Sequence, residues 1–392
     1  MASWGRFCAL SPTDRVNRGA GLSRHARFAS AAWLLPAESR KYYVGRENSY
    51  SLCDRRSGSS IHYRPLYAIF MGTRSDFASI GELDQLREFA TGAELEIVQL
   101  CPGQMTGVLA HCDLERSSLH LNKLSLPARG RGVLSANRWT FVVFPERTQG
   151  RFNCVTLSSE VLLAFPPKAE FQGTISSGFH DWVFTVDFDE LSQAYAALFQ
   201  TEMRMRCTGF QLLRPDPSAT QALRTLGGRT LEESRHSPQL FADADTRSHL
   251  HSRLLELLAA SIHSASHGVG RNRRAQLSRW QVVRQAEDFM RAHADQPISM
   301  TTLCGLTNMH ERSLRRAFHD VVGVSPTNYL TAIRMNRARA ELERAAPKPR
   351  TVASVAMRWQ FAHLGRFSRD YRRFFGERPS ETLSKRLARD VT

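Results

Sequence analysis

The sequence predicts an α+β multidomain chain, with an N-terminal antiparallel β domain, a helical segment after it and an all-α C-terminal domain. Three observations predict it. Short alternating apolar runs fill the stretch from Glu94 to Asp187, helical periodicity takes over from Asp187, and a helix–stop–helix unit occurs twice in the last third.

The chain has 392 residues, 42% of them hydrophobic and 23% charged, enough apolar side chains for more than one core. Its formal net charge of +16 is unevenly placed. Residues 271–392 hold 24 Lys and Arg against 11 Asp and Glu, while residues 1–270 hold 29 against 26. The surplus sits in the C-terminal third, where a polyanion partner is expected. Seven cysteines are spread with no CxxC pair, so neither a zinc site nor a disulfide framework is expected, and reduced thiols in the cytoplasm are. No apolar run approaches the roughly 20 residues that cross a bilayer, and no membrane association is expected. FASAAWLLP, residues 28–36, is the nearest approach to a signal peptide, but it begins late and lies among arginines.

Taken in order, residues 1–70 are rich in Arg and Ser without sustained period and are expected to form a poorly ordered leader. Met71, which opens MGTRSDFASIGELDQL, is the alternative start of the chain. Residues 71–186 form the β-rich domain: ELEIVQL, GVLAHCDL, SSLHLNKLSL, RWTFVVFP and VLLAFPP, separated by Gly, Pro, Asn and Ser, predict an antiparallel sandwich or small barrel. Residues 187–275 form a helical dimerisation or linker segment. Asp187 is placed to cap a helix in which Leu191, Tyr195 and Leu198 fall at helical spacing. A second helix carries Leu250, Leu254, Leu257, Leu258 and Ile262 on one stripe, which serves either packing within the domain or a dimer contact. HGVGRNRRAQ, residues 267–276, reads as a linker.

Within the domain at 276–392, SLRRAFHDVVGVSPTNYL (313–330) lies over RFSRDYRRFFGERPSETL (366–383) at an offset of 53 residues. Each copy reads as a helix, a glycine stop and a proline opening the next helix. At 100° per residue, Leu364, Phe367, Tyr371, Phe374 and Phe375 gather on one side of the second copy, with Arg366, Arg369 and Arg373 opposite. In the first copy Leu314, Ala317, Phe318 and Val321 form the apolar side, with Arg312, Arg315, Arg316 and His319 opposite. A basic outer face on one helix is ordinarily a solvated surface. Here each such helix follows a shorter one across a tight break, the arrangement of a helix-turn-helix reader, and it occurs twice. Between the copies, residues 325–344 span about 30 Å if helical throughout, close to one turn of B-DNA at about 34 Å. The loop AAPKPR, residues 345–350, closes the connection.

In these features, and specifically in FHDVVGVSPTNYL and FSRDYRRFFGERPS, residues 280–386 resemble the DNA-binding domain of the AraC/XylS family of bacterial transcription regulators. The resemblance implies two helix-turn-helix units joined by a long helix, with readers at 311–322 and 363–375. It implies a double-stranded DNA operator and RNA polymerase as partners, and a homodimer that activates nearby genes in response to a small-molecule effector, of unknown identity and binding residues. The candidate DNA-contacting residues are Arg312, Ser313, Arg315, Arg316, His319, His363, Arg366, Arg369 and Arg373. Asn308 and Gln360 stand where the family usually has Gly between its helices, and His310 replaces its usual Ser cap. If the family's turn is kept, Gln360 costs about 1 kcal/mol in the left-handed region. The β domain resembles, more loosely, the cupin-like sensor domains attached to many such regulators.

A cupin-like barrel also suggests a metalloenzyme, and a cysteine near an AraC-like module suggests a DNA-repair alkyl acceptor. His111, His120 and His180 are scattered, without an HxH pair, and predict no metal. No GxSxG occurs, and Cys101, in LCPG, lacks basic neighbours. No enzymatic activity and no cofactor are expected.

Overall fold

A computed structural model of the protein describes residues 44–46, 49–53, 60–63, 75–80, 94–153, 155–267, 273–344 and 351–389. The chain divides into two compact units, residues 1–69 and 70–392. The first holds a three-stranded antiparallel sheet of β1 (Val44–Arg46), β2 (Ser49–Cys53) and β3 (Ser60–Tyr63). The rest of the expected leader, with FASAAWLLP, Met71, residues 268–272 of the expected linker and the AAPKPR loop, lies outside the described residues.

In the second unit, β4 (Ser75–Ile80), β5 (Glu94–Gln99), β6 (Gly107–Asp113), β7 (Ser117–Leu124), β8 (Ala128–Val133), β9 (Trp139–Val143), β10 (Gly150–Phe152), β11 (Val155–Thr156), β12 (Leu162–Phe165), β13 (Glu170–Ile175), β14 (Phe179–Val186), β15 (Gln211–Arg214) and β16 (Ser266–His267) build two antiparallel sheets. Their orders are β11-β10-β13-β8-β5 and β16-β15-β12-β9-β14-β7-β6-β4. Alternation decides their packing. Leu109, Leu124, Val142, Leu163 and Phe179 of the larger sheet meet Ile97, Ala128 and Ile175 of the smaller in one apolar core. The opposite face of the larger sheet, with Cys112, Leu119, Phe141 and Phe184, is covered by helices.

Those helices are α1 (Phe188–Phe199), α2 (Pro217–His236) and α3 (Ala244–Ser264). Asp187 caps α1 as expected, accepting from the amides of Asp189 at 2.9 Å and Glu190 at 3.1 Å. The leucine stripe of α3 is used inside its own domain: Leu254, Leu258 and Ile262 are buried on the sheet, with Leu250 and Leu257 packed beside them. The segment 187–275 also returns two strands, β15 and β16, to the edge of the larger sheet.

The remaining helices, α4 (Arg273–Ala292), α5 (Met300–Thr307), α6 (Glu311–Val322), α7 (Pro326–Glu343), α8 (Val352–Arg358), α9 (Leu364–Phe375) and α10 (Pro379–Arg389), share a third core. α7 runs through its middle, burying Tyr329, Ile333, Ala338 and Leu342. Ser325 caps it and Pro326 opens it, and its 18 residues span about 27 Å. Val98 and Leu100, at the end of β5, belong to this helical core, so the β domain and the helical domain are packed together.

Candidate nucleic-acid interface

Each half of the helical domain is a short helix, a left-handed turn and an outward-facing second helix. In the first, Ser299 caps α5 through a 3.0 Å bond from the Thr302 amide, and α5 ends at Asn308 with φ 51°. In the second, Thr351 and Ser354 form a reciprocal capping box on α8, and the turn after it places Gln360 at φ 67°. Both positions where the sequence departs from Gly therefore hold left-handed backbone. The Gln360 side chain donates to the Asp295 carbonyl at 2.6 Å, a bond that glycine lacks. Neither His310 nor His363 makes a side-chain cap bond to its helix.

The apolar sides of the outer helices hold them in place. α6 buries Leu314, Ala317, Phe318 and Val322, and α9 buries Phe367, Tyr371, Phe374 and Phe375. The Tyr371 and Thr382 hydroxyls lie 3.0 Å apart and tie α9 to α10. One residue of the expected faces differs: Leu364, expected on the packed side, stands in the first turn of α9 and is 41% exposed. Val321 is half-buried and packs against the core as expected, and Val322 is buried in it as well.

All nine candidate contact residues, Arg312, Ser313, Arg315, Arg316, His319, His363, Arg366, Arg369 and Arg373, are exposed. The 53-residue offset makes Arg316 the counterpart of Arg369, Ser313 of Arg366 and Arg312 of Gly365. Arg315 pairs with Glu311 at 2.6 Å on its own helix, and Arg366 approaches Asp370 at 3.4 Å. Such exposed pairs hold a cation lightly and leave it available to a phosphate. Arg372, the counterpart of His319, is also exposed and was absent from the sequence-derived set; the repeat itself carried the signal.

A helix-turn-helix domain model matches residues 303–385. Over 102 residues the chain is 40% identical to the probable thc operon regulatory protein of Rhodococcus erythropolis, covering 26% of this chain and 31% of that one. Over 96 residues it is 38% identical to XylDLEGF operon transcriptional activator 2 of Pseudomonas putida, covering 24% of this chain and 61% of that one. This is an AraC/XylS-type domain. The chain thus spans less than two thirds of the length of these relatives. A solved structure of a probable AraC family transcriptional regulator from Rhodopseudomonas palustris is 37% identical over 27% of this chain and 97% of its own, with a TM-score of 0.26. Within the AraC/XylS-type domain, the matched residues take in the last five residues of α5, all of α8, both outer helices and α7 between them.

In the β domain the structure corrects one expectation. His111 and His120, read as scattered, face each other across β6 and β7, with ring centroids 4.5 Å apart. Antiparallel register, invisible in the linear spacing, brings them together. The His120 ring lies 3.0 Å from the Ser118 hydroxyl, and burial, followed by His111, keeps it well below the usual imidazole range. Nearby, burial raises the Asp181 carboxyl to about 7 although Asn122 donates to it at 2.8 Å. Among the described residues, no group of three or more His, Cys, Asp or Glu is placed to hold a metal ion. Burial pushes the Cys101 thiol up and that of Cys112 to about 12, the reverse of thiolate activation. Among the described residues no helix is long and apolar enough to cross a membrane.

Proposed function

We propose that the protein is a sequence-specific DNA-binding transcription regulator, an activator of nearby genes that responds to a small molecule bound by its β domain. The observation that carries this reading is the repeated unit itself. Two outer helices, α6 and α9, each anchored by a buried aromatic side, turn exposed arginines away from the core in the most basic third of the chain. The relatives, an operon regulatory protein and an operon transcriptional activator, support the same reading. On it, the operator is double-stranded DNA, the chain acts as a cytoplasmic homodimer, RNA polymerase is the partner at the promoter, and no reaction is catalysed.

Selection of the full-length protein on a pool of duplexes with a randomised core tests this. The expected result is enrichment of one motif with two separated blocks, bound about a thousandfold or more above random duplex. A folded protein that enriches no motif overturns it.

A further inference from the structure

A helix leaves its last carbonyls without partners of its own, and at the end of each outer helix the β domain takes one or two of them. At the end of α6, Gly323 turns its amide back to Phe318 and His319, leaving the carbonyls of Asp320 and Val321. Arg151 of β10 donates to the first, and the Thr174 hydroxyl of β13 donates to the second at 2.9 Å. At the end of α9, Gly376 turns back to Arg372, and the carbonyl of Phe374 accepts from the Gln99 side-chain amide at 2.9 Å and from the Gly103 amide at 3.1 Å.

Gln99 is the meeting point. It is 1% exposed, and its Nε2 also lies 2.8 Å from the Cys101 carbonyl and 2.7 Å from that of Gly103. Its backbone is on β5, the edge strand of the smaller sheet, where among the described residues one side has no neighbouring strand. Asn336 of α7 fills that side as a strand would, accepting from the Gln99 amide at 3.2 Å and donating to its carbonyl at 3.1 Å. One residue thus joins the sheet, the helix between the readers and the tail of the second reader.

Apart from the bond of Gln360 to the Asp295 carbonyl, the two helix-turn-helix units are attached to α7 by separate sets of bonds. Arg334 reaches the carbonyls of Ala294 and Gln296 in the first, while Glu341 accepts from Trp359 and Arg358 in the second. The β sheet grips the far ends of both outer helices.

We propose that Gln99, with Asn336, is a positioning residue of the second reader, and that this contact sets the separation of the two base-pair blocks the protein recognises. The proposal rests on the DNA-reading function above. With the contact intact the readers sit at one angular relationship. One extra base pair between the blocks turns the second block by about 34° and moves it about 3.4 Å, which a rigid pair of readers cannot follow. With the contact broken, the second unit hinges on α7 and follows.

The test uses the full chain and the best duplex from the selection, together with versions carrying one base pair more or less between the blocks, and a duplex with the first block alone. Gln99→Met keeps the shape and removes the donors; Asn336→Asp keeps the acceptor for the Gln99 amide and removes the donor to its carbonyl, which makes it the second variant should Gln99→Met not fold. The wild type is expected to lose about tenfold or more in affinity on a one-base-pair change, as for a lost base contact. The variants are expected to lose less than about threefold across the same change while binding the single-block duplex as the wild type does, a pattern that general destabilisation does not produce. A folded variant with the wild-type spacing penalty, or an equal loss on every duplex, overturns the proposal. A wild type that binds the duplexes no better than random DNA overturns the DNA-reading function instead, and the two failures are thereby distinguished.

Discussion

Arg129 and Glu287 form a two-pronged ion pair across the boundary between the β domain and the helical domain, Nε to Oε1 at 3.0 Å and Nη2 to Oε2 at 2.8 Å. The side chains are 3% and 2% exposed, and two further guanidinium hydrogens go to Gln172 and Thr174, each at 3.0 Å. The pair is flanked by more exposed ones, Arg131 with Asp288 at 2.5 Å and Arg284 with Glu170 at 2.6 Å. Burial alone would raise the Glu287 carboxyl, but Arg129 and then Arg291 outweigh it and hold it below the usual carboxylate range.

Removing one partner leaves the other charge buried and uncompensated. Arg129→Met is expected to cost about 3 to 5 kcal/mol, and the double variant Arg129→Met, Glu287→Leu to recover most of that loss, because a buried ion pair and well-packed apolar residues are often close in stability. A double-mutant cycle in denaturant measures both. The sign with pH follows from the lowered carboxyl. Its stabilisation is present above the unfolded value of about 4.3 and is lost as the pH falls through the lower folded value. The double variant should therefore show a shallower acid limb than the wild type.

On the outer helices, packing and binding should separate cleanly. Phe367 is buried on one side of α9, and Phe367→Ala is expected to cost roughly 3 to 5 kcal/mol and to unfold the second unit. Arg316→Ala and Arg369→Ala, at equivalent exposed positions, should leave the melting temperature unchanged and weaken binding. Arg366, nearest the start of α9, is expected to read a base, so that Arg366→Ala relaxes preference at one position at a cost of about 1 to 3 kcal/mol. Arg373, near its end, is expected to contact phosphate, so that Arg373→Ala weakens all sequences alike and lowers the salt slope by about one. Titrations of each variant at several salt concentrations, against the operator and its single-base variants, decide the roles. Unchanged affinity for Arg366→Ala, Arg369→Ala and Arg373→Ala means that α9 does not face DNA.

The turn at Gln360 sets two effects against each other. Glycine there relieves about 1 kcal/mol of left-handed strain but gives up the hydrogen bond to the Asp295 carbonyl, a comparable quantity. Gln360→Gly should accordingly lie within about 1 kcal/mol of the wild type. Gln360→Ala keeps the strain and loses the bond, and should be less stable than Gln360→Gly by about 1 kcal/mol. Equal stability of the two variants in denaturant titration would show that the backbone at 360 is not strained.

What could be read in advance was local. The Asp187 cap and the apolar faces of α6 and α9 depend on residues within a turn of one another, and periodicity reports them, whereas the conformations of Asn308 and Gln360 were implied by the family resemblance. Strand β8, ARGRGV, has no apolar alternation and escaped that reading: Arg129 points to Glu287, and Gly130 lies against Ile97 and Phe171. The pairing of His111 with His120 needed strand register, and the bonds of Gln99 to Asn336 and Phe374 join positions more than two hundred residues apart. The exposure of Leu364 shows the limit of a helical wheel, which states the side a residue occupies and not whether anything covers it.

Asp181 provides a test of the β domain by itself. Its carboxyl is buried on β14, accepts from the Asn122 side-chain amide, and stands at about 7 because burial opposes its charge. In the unfolded chain an aspartate ionises near 3.9, so between about pH 4 and 7 the folded state holds a proton that the unfolded state has released. The folded state then binds more protons than the unfolded one, and stability falls as the pH rises through that window. Asp181→Asn keeps an oxygen to accept from Asn122 and carries no charge at any pH. The variant should match the wild type near pH 4 and become the more stable protein by pH 8, by about 1 to 3 kcal/mol after allowance for relaxation around the buried charge. Thermal melting of both proteins at intervals from pH 4 to 8 checks this. Parallel curves for the two across the whole range would mean that Asp181 is ionised in the folded protein, and that the face of β7 and β14 carrying Ser118, His120 and Asn122 is wetter than its packing implies.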